Sequence, residues 1–600
     1  MKVFSPHTIE ILLLPALAVA LSLSSPAQQP AVNSYHTPAG ISGHLNALAK
    51  TQPDIAAVHK LGRSFNGSEY QIIEIGKEVK SAGRNNPAVL VVANLEGTNP
   101  LASEGALFLI DELLKKPEHL DSLTWYMLAC GNPDGAERFF QKPLIQDGRN
   151  LRPWNDDMDE QIDEDGPEDL NGDGYITQMR SKDPEGAYIQ DDKDPRMMKR
   201  ADPLKGEKGI YKLYQEGIDN DGDGQYNEDG PGGTNIGITL PFLYGYNQPG
   251  TGAWSGSEQE IYGLMQFVKA HPEIAMTMTY GSTNFCLVPP KGGRKSAVNL
   301  SAIKLPQRQA QRLNADPDKT YTLDEVKELL KANMPPGITV DDAMVAGMLD
   351  MGAVINPIDA DGKMYAALAD TYKKYLKGKG WTSKRMDPQR EKNGTFEIWA
   401  YYQLGLPSFS MDLWALPKPK DSLKNAFMLY NDSILGGKGF AAWKEFDHPK
   451  LGKVDIGGNI PYAETLPLPQ QMDTLLNVQV PWIFELVKQI PALAIEEVTV
   501  EPQGSGIYRV NAWISNNRQF SFPLAIGQRT KVPPPAIITL TGKGIILISG
   551  KARAPLEALN GFEKRKLTWI VKADASLDIL IRVDPVNAFG SEKSIRLGGN

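Results

Sequence analysis

The chain has only two cysteines in 600 residues, Cys130 and Cys286, which excludes a scaffold held by several disulfides. Both lie in apolar, strand-like runs, TWYMLAC and NFCLVPP, and read as buried thiols. Histidine is scarce too, with seven in all: His7, His36, His44, His59, His119, His271 and His448. An excess of basic charge is missing as well. The formal net charge of -9 disfavours a nucleic-acid partner, because phosphate binding depends on basic surface. After the N-terminal stretch no run approaches the length of apolar sequence that a membrane-spanning helix needs, so no transmembrane segment is expected there.

What is present begins with Lys2, the apolar run ILLLPALAVALSLS and the small residues Ser25-Pro26-Ala27. This is the pattern of a cleavable secretory signal over residues 1–27, and the mature protein is expected to be secreted or periplasmic. The remaining length exceeds what one core supports, and an apolar content of 41 % is that of an ordinary globular chain.

The most informative stretch is 87–114, PAVLVVANLEGTNPLASEGALFLIDELL. Ala88 to Val92 is a continuous apolar run, as in a parallel strand covered on both faces, and Ser103 is placed to cap the helix that follows. The polar turn between them is where chemistry is expected, since ligands gather at the carboxyl ends of parallel strands. Upstream, a helix precedes a hairpin with Asn66-Gly67 at its turn. Downstream, Thr124 to Cys130 and Ile274 to Tyr280 are further buried strands. A helix before the latter is expected to start with a capping box of Ser257 and Glu260. Strands alternating with helices imply an α/β sheet.

Between these units lie two acidic, Asp/Gly-rich inserts, 155–180 and 219–231. NDDMDEQIDEDGP and DNDGDGQYNEDGP repeat one pattern, and Asp169, Asn171 and Asp173 add a third short motif. Oxygen side chains at alternate positions on a turned backbone suit a hard cation. The candidate calcium ligands are Asp157, Asp159 and Asp163, then Asp169, Asn171 and Asp173, then Asp219, Asp221, Asp223 and Asn227. The middle region, 291–390, shows two helical patches, near Leu323 to Asn333 and Met364 to Leu376. After residue 471 a helix interrupted at Pro481 closes the domain. Residues 496–600 change to short strands divided by turn residues and read as a C-terminal β-sandwich.

The motifs together carry a resemblance. GRSFNGSEYQIIEIG, NPDG at 132–135, GAWSGSEQEIYGL and NGTFEIWAYYQLGLPSFSMDLW resemble, in order and spacing, segments of the zinc carboxypeptidase family of the carboxypeptidase A type. The resemblance implies a mixed sheet flanked by helices over residues 28–490. It also implies a zinc held by an H-x-x-E turn and a later histidine, with a glutamate as general base. This sequence departs from that pattern at each position. Glu96 and Asn99 stand at the turn's two ligands, Tyr280 at the second histidine, and Asp412 at the general base. Gly237, Ile238 and Thr239 stand where an asparagine-arginine-asparagine run would clamp the substrate carboxylate. Outside the signal, no histidine has a glutamate three residues on.

Zinc is therefore expected for the family but not for this chain. The expected function is an exported carboxypeptidase-like protein that does not catalyse, with a peptide or cell-wall fragment as partner in the old cleft. The alternatives are an active metallocarboxypeptidase with substituted ligands and an extracellular glycan-binding or adhesion protein using the sandwich. A hydrogen-bonded polar cluster of Glu96, Asn99, Tyr280 and Asp412 is expected at the old site.

Overall fold

The computed structural model describes residues 34–79, 86–155, 162–227, 229–230, 232–290, 299–334, 340–349, 359–381, 384–388, 391–573 and 577–598. The expected signal at 1–27, and with it His7, lies outside the described residues, as do Asp157 and Asp159 of the first acidic repeat.

Six strands form the central sheet in the order Ala56–Arg63, Glu69–Ile75, Thr124–Leu128, Ala88–Ala93, Ile274–Tyr280 and Ser408–Met411. The last four run parallel, and the first two add an antiparallel hairpin at one edge. The fold is thus an α/β mixed sheet flanked by helices, as expected. Its central strand shows why the sequence around it is apolar at every position. Val89, Val91 and Ala93 enter one core with the helix Pro100–Lys115, while Ala88, Leu90 and Val92 enter another with the helix Gln259–Ala270. Side chains alternate across a strand, so a strand covered on both faces has no polar side. Each such Val or Leu contributes about 1.5–3 kcal/mol of burial.

Two helix starts differ from expectation. The helix after the central strand is capped by Asn99, whose side chain accepts from the Ala102 N–H, with Pro100 following; Ser103 lies inside the first turn, buried. Proline at the first helical position fixes the start four residues before Ser103 could cap it. The second helix begins at Gln259 with Glu258 as its flanking residue, and Ser257 Oγ donates to Glu258 Oε1 rather than to the backbone. Glu260 is buried instead of reaching back to a cap.

The segment between the two acidic inserts is more structured than its composition suggests. A second, antiparallel six-stranded sheet runs in the order Phe440–His448, Gly452–Asn459, Gln178–Lys182, Tyr211–Gln215, Tyr188–Asp191 and Asp194–Arg200. Its strands are polar, and a small cluster of Met179, Val454 and Ile456 fills its own core. Hydrophobic periodicity therefore gives little sign of it.

Residues 303–349 gather a separate core that includes the helix Leu323–Ala332, and the second expected helical patch is the helix Asp359–Gly378. Pro481 sits in a short 3-10 turn between the helices Pro469–Gln479 and Ile483–Val487. The C-terminal strands begin at Leu493 and form two four-stranded sheets about a shared core, a β-sandwich. A sandwich segment crosses the expected boundary: Phe520, Leu524 and Ile526 belong to the core of the central sheet. Asp361 accepts from the Ala525 and Ile526 N–H groups at 2.9 Å each, tying that segment to the long helix.

Candidate functional site

Three parallel strands deliver the candidate residues. The Ala88–Ala93 strand leads to Glu96, the Ile274–Tyr280 strand to Ser282, Thr283 and Asn284, and the Ser408–Met411 strand to Asp412. Parallel neighbours end on the same side of a sheet, so these turns meet whatever the separation in sequence. Asn94 turns the chain at φ 54, and its side chain accepts from the Asn99 N–H at 3.0 Å, which closes the Glu96 turn on itself.

Glu96 Oε1 accepts from the Ser282 N–H at 3.0 Å and from its hydroxyl. Beside it, buried Glu397 has its Oε1 2.8 Å from Thr283 Oγ1, which lies equally close to Ser410 Oγ. Burial holds the Glu397 carboxyl above its usual range, and the Glu96 charge pushes it further. Asp412 is buried as well. It accepts from Asn284 Nδ2 at 3.2 Å and from Arg385, whose other nitrogen donates to the Asp412 carbonyl at 2.9 Å. Burial dominates the balance at Asp412: its carboxyl is pushed up to about 7 although the guanidinium pulls it down.

The expected polar cluster forms only in part. Tyr280 turns into the apolar core, fully buried, with its ring beside Gly105 and no hydrogen-bond partner for its hydroxyl among the described residues. The strand's alternation sends that side chain to the helix face, and Gly105 leaves the space for the ring. Asn99 is occupied by its helix cap. Gly237 and Ile238 lie in a 3-10 turn at Ile236–Ile238 that supplies backbone, not side-chain cations, to the site. Gly237 lines the cavity next to Glu96, while the Ile238 carbonyl packs so closely on Gly394 that a Cβ there would fall 2.0 Å away. Thr239 Oγ1 donates to the Ile236 carbonyl.

The space left is small. A cavity of about 20 Å³ lies between Glu96, Gly237, Ser282, Thr283 and Glu397, room for about one water molecule. Arg152 pairs with Glu258 at 2.9 Å, and Arg149 with Asp147 at 3.0 Å.

Histidines among the described residues also have other engagements. His36 pairs with Glu104, His59 with Glu74 and His271 with Glu273, while His119 stacks on Phe484 and His448 Nε2 lies 3.1 Å from the Gly217 carbonyl. His44 is exposed on the first helix. Both cysteines are free thiols, Cys286 buried and Cys130 partly so. Glu397, Ser282, Thr283 and Arg385 were not singled out from sequence. Glu397 left a signal, a lone carboxylate inside the apolar helix FEIWAYY; the others did not.

In the acidic loops one group of carboxylates converges among the described residues. Asp219, Asp221 and Asp223 each offer an oxygen within 4.8 Å of the others. Lys450 Nζ lies 2.9 Å from Asp219 Oδ1. Burial pushes the Asp219 carboxyl up, yet Lys450 and the Gly222 N–H together hold it below its usual range. The remaining candidates serve the backbone. Asp163 Oδ1 accepts from Gly232 N–H, Asp169 from Asp173 and Gly174, Asn171 from Asp173, and Asp173 from Tyr175. Asn227 donates through its amide to the Gln215 carbonyl. The two repeats interlock, since Asp165 of the first accepts from the Asn220 and Asn227 N–H groups of the second.

Comparison with known proteins agrees with the resemblance. Residues 41–174 match the zinc carboxypeptidase family, and residues 492–594 match a family described as a domain of unknown function. Carboxypeptidase M of Mus musculus is 33% identical over 116 residues, 18% of this chain and 26% of that protein. Carboxypeptidase B of Astacus astacus is 23% identical over 152 residues, 22% of this chain and 49% of that protein. The chain thus spans between a quarter and a half of the length of these relatives. Among solved structures, carboxypeptidase A from Helicoverpa armigera is similar over 70% of this chain and 73% of its own, at 12% identity and a TM-score of 0.33.

Proposed function

We propose that this chain, which carries a zinc carboxypeptidase segment at residues 41–174, is an exported carboxypeptidase-like protein that binds and does not hydrolyse. One observation carries the reading. Glu96, Glu397 and Asp412, the three carboxylates at the old site, are each engaged by a protein donor, and no imidazole among the described residues faces them. A catalytic zinc site needs three protein ligands and an open position for water. Here Tyr280 is a core residue, Asn99 is a helix cap, and Glu96 is bound to Ser282, so the residues present do not fit zinc.

The carboxylate clamp is lost as well. An arginine fork would orient a substrate's terminal carboxylate, and Ile238 offers none; orientation alone is worth orders of magnitude in rate. The family name supports a peptide as ligand, and a cell-wall fragment is carried with it as the second candidate; a cavity of about 20 Å³ admits no side chain, so either would engage surfaces outside the Glu96 turn. Calcium in the Asp219 loop is a separate part of the proposal, supported by the three converging carboxylates.

The test is metal content and peptidase assay of the purified protein. We expect no stoichiometric zinc and no release of C-terminal residues from a panel of blocked dipeptides. Hydrolysis abolished by a zinc chelator would overturn the proposal in favour of an active metallocarboxypeptidase.

A further inference from the structure

A larger cavity than that beside Glu96 lies on the face of the second sheet. It measures about 560 Å³, within the range of small-molecule sites. Gln178, Gln215, Asn459 and Trp443 line it. Gln178 and Gln215 are direct cross-strand partners in the register of Gln178–Lys182 against Tyr211–Gln215, so their amides stand side by side. Neither amide has a protein hydrogen-bond partner among the described residues.

The floor beside them is kept bare. Gly458 has φ +111, a conformation that disfavours any side chain, and a Cβ built there would lie 3.4 Å from Gln178 Oε1 and 3.7 Å from the edge of the Trp443 ring. A flat patch of backbone is thus bordered by an indole on one side and a primary amide on the other. The indole is held in place: its N–H donates to the Arg196 carbonyl at 2.7 Å, and the Arg180 guanidinium lies 4.4 Å from the ring. At the rim Asn459 gives its Nδ2 to Glu464 at 3.0 Å, and its Oδ1 is buried with no hydrogen-bond partner among the described residues. A buried acceptor without a donor costs stability unless something supplies one.

From this arrangement we propose that the groove is a binding site for a neutral oligosaccharide. A pyranose has an apolar C–H face that packs on an indole and a rim of hydroxyls, each both donor and acceptor. Side-chain amides answer both roles, with two donors and an acceptor apiece. Charge does not recommend an ionic ligand, because the one cation in the lining, Arg196, is already paired with Asp194 and Asp432. The floor strands Gly452–Asn459, Gln178–Lys182 and Tyr211–Gln215 are interior to the sheet, while the two edge strands, Phe440–His448 and Asp194–Arg200, supply Trp443 and Arg196 to the lining, so trialanine serves below as the control for an added peptide strand. The proposal is independent of the reading of the old catalytic site.

The test is isothermal titration of the full-length protein with maltotriose, cellotriose and tri-N-acetylchitotriose, with trialanine as a peptide control. We expect at least one trisaccharide to bind at millimolar concentration or better and trialanine not to bind. The double variant Gln178→Ala, Gln215→Ala removes only exposed side chains. It should weaken that binding by about tenfold, the loss of one or two net hydrogen bonds, with an unchanged melting curve. Trp443→Phe, which keeps an aromatic ring, should weaken it less. Silence of all three sugars, tighter binding of trialanine, or full affinity in the double variant would each overturn the assignment. Zinc content and peptidase activity play no part in this readout, so it fails or stands apart from the proposal above.

Discussion

Two regions of this molecule collect carboxylates, and they use them in opposite ways. At the ends of the parallel strands Glu397 and Asp412 are buried, and burial raises both above the usual carboxylate range. In the interlocked acidic loops Asp163 and Asp173 lie at or near the surface and accept from backbone N–H groups, as does Asp165, which is buried but answered by two such donors. A carboxylate in water keeps its charge and suits a turn or a cation. Out of water it retains a proton or needs a cationic partner. Acidic residues at a loop therefore do not by themselves mark a metal site; the deciding quantities are depth and the number of protein donors already present.

Glu216 links the two behaviours and should give the largest effect. It is fully buried among the acidic loops and accepts from Leu170 N–H, Asn171 N–H, Thr177 N–H and the Thr177 hydroxyl. Glu216→Ala should destabilise the protein by about 4 kcal/mol, since several buried donors lose their acceptor together. Chemical denaturation measures this, and a loss no larger than that of an exposed acidic residue such as Asp223→Ala would show that the loops do not depend on it.

Arg385→Ala comes next. It leaves Asp412 buried with Asn284 as its side-chain partner and should cost about 3 kcal/mol. If denaturation finds this variant as stable as wild type, the pair does not hold the Asp412 turn in place.

The same aspartate sets a smaller, pH-dependent effect. Its carboxyl is pushed up to about 7 in the fold, so the folded state keeps a proton that the unfolded chain releases. That contribution is complete below about pH 4 and is lost as pH rises through about 7. Asp412→Asn cannot ionise, so its melting temperature should gain on wild type steadily across that window. Parallel curves would mean that Asp412 is ionised throughout.

Asn99→Ala should cost about 1 kcal/mol, the value of a helix cap, with no change in metal content. A zinc affinity that falls with this substitution would place Asn99 among ligands after all. Calcium should have the smallest effect, a rise of a few degrees in melting temperature, because Lys450 already neutralises part of the Asp219 loop and the ion must displace it. The rise should vanish in Asp221→Ala; a chelator-insensitive wild type would remove calcium from the proposal.

The sequence determined a good deal by itself. A short apolar run with no polar side, then a turn, then an apolar helix, matches a strand buried on both faces of an α/β sheet, and the central strand Ala88–Ala93 is that. The scarcity of histidine is equally local information, and it holds whatever the fold. Short strands between turn residues after residue 496 could be read in the same way. These properties belong to neighbouring residues, and neighbours are what a pattern records.

Only the tertiary structure decided the rest. It turned Tyr280 to the core, gave Asp412 its arginine from position 385, and brought Glu397 beside Glu96 across about three hundred positions of chain. It also paired Gln178 with Gly457 and Gln215 to make a sheet from segments that look like polar loops. The physical reason is common to all of them. Whether a carboxylate is charged, capped or free to bind depends on donors and solvent exposure supplied by residues distant in sequence, and composition along the chain carries no record of which distant residue arrives.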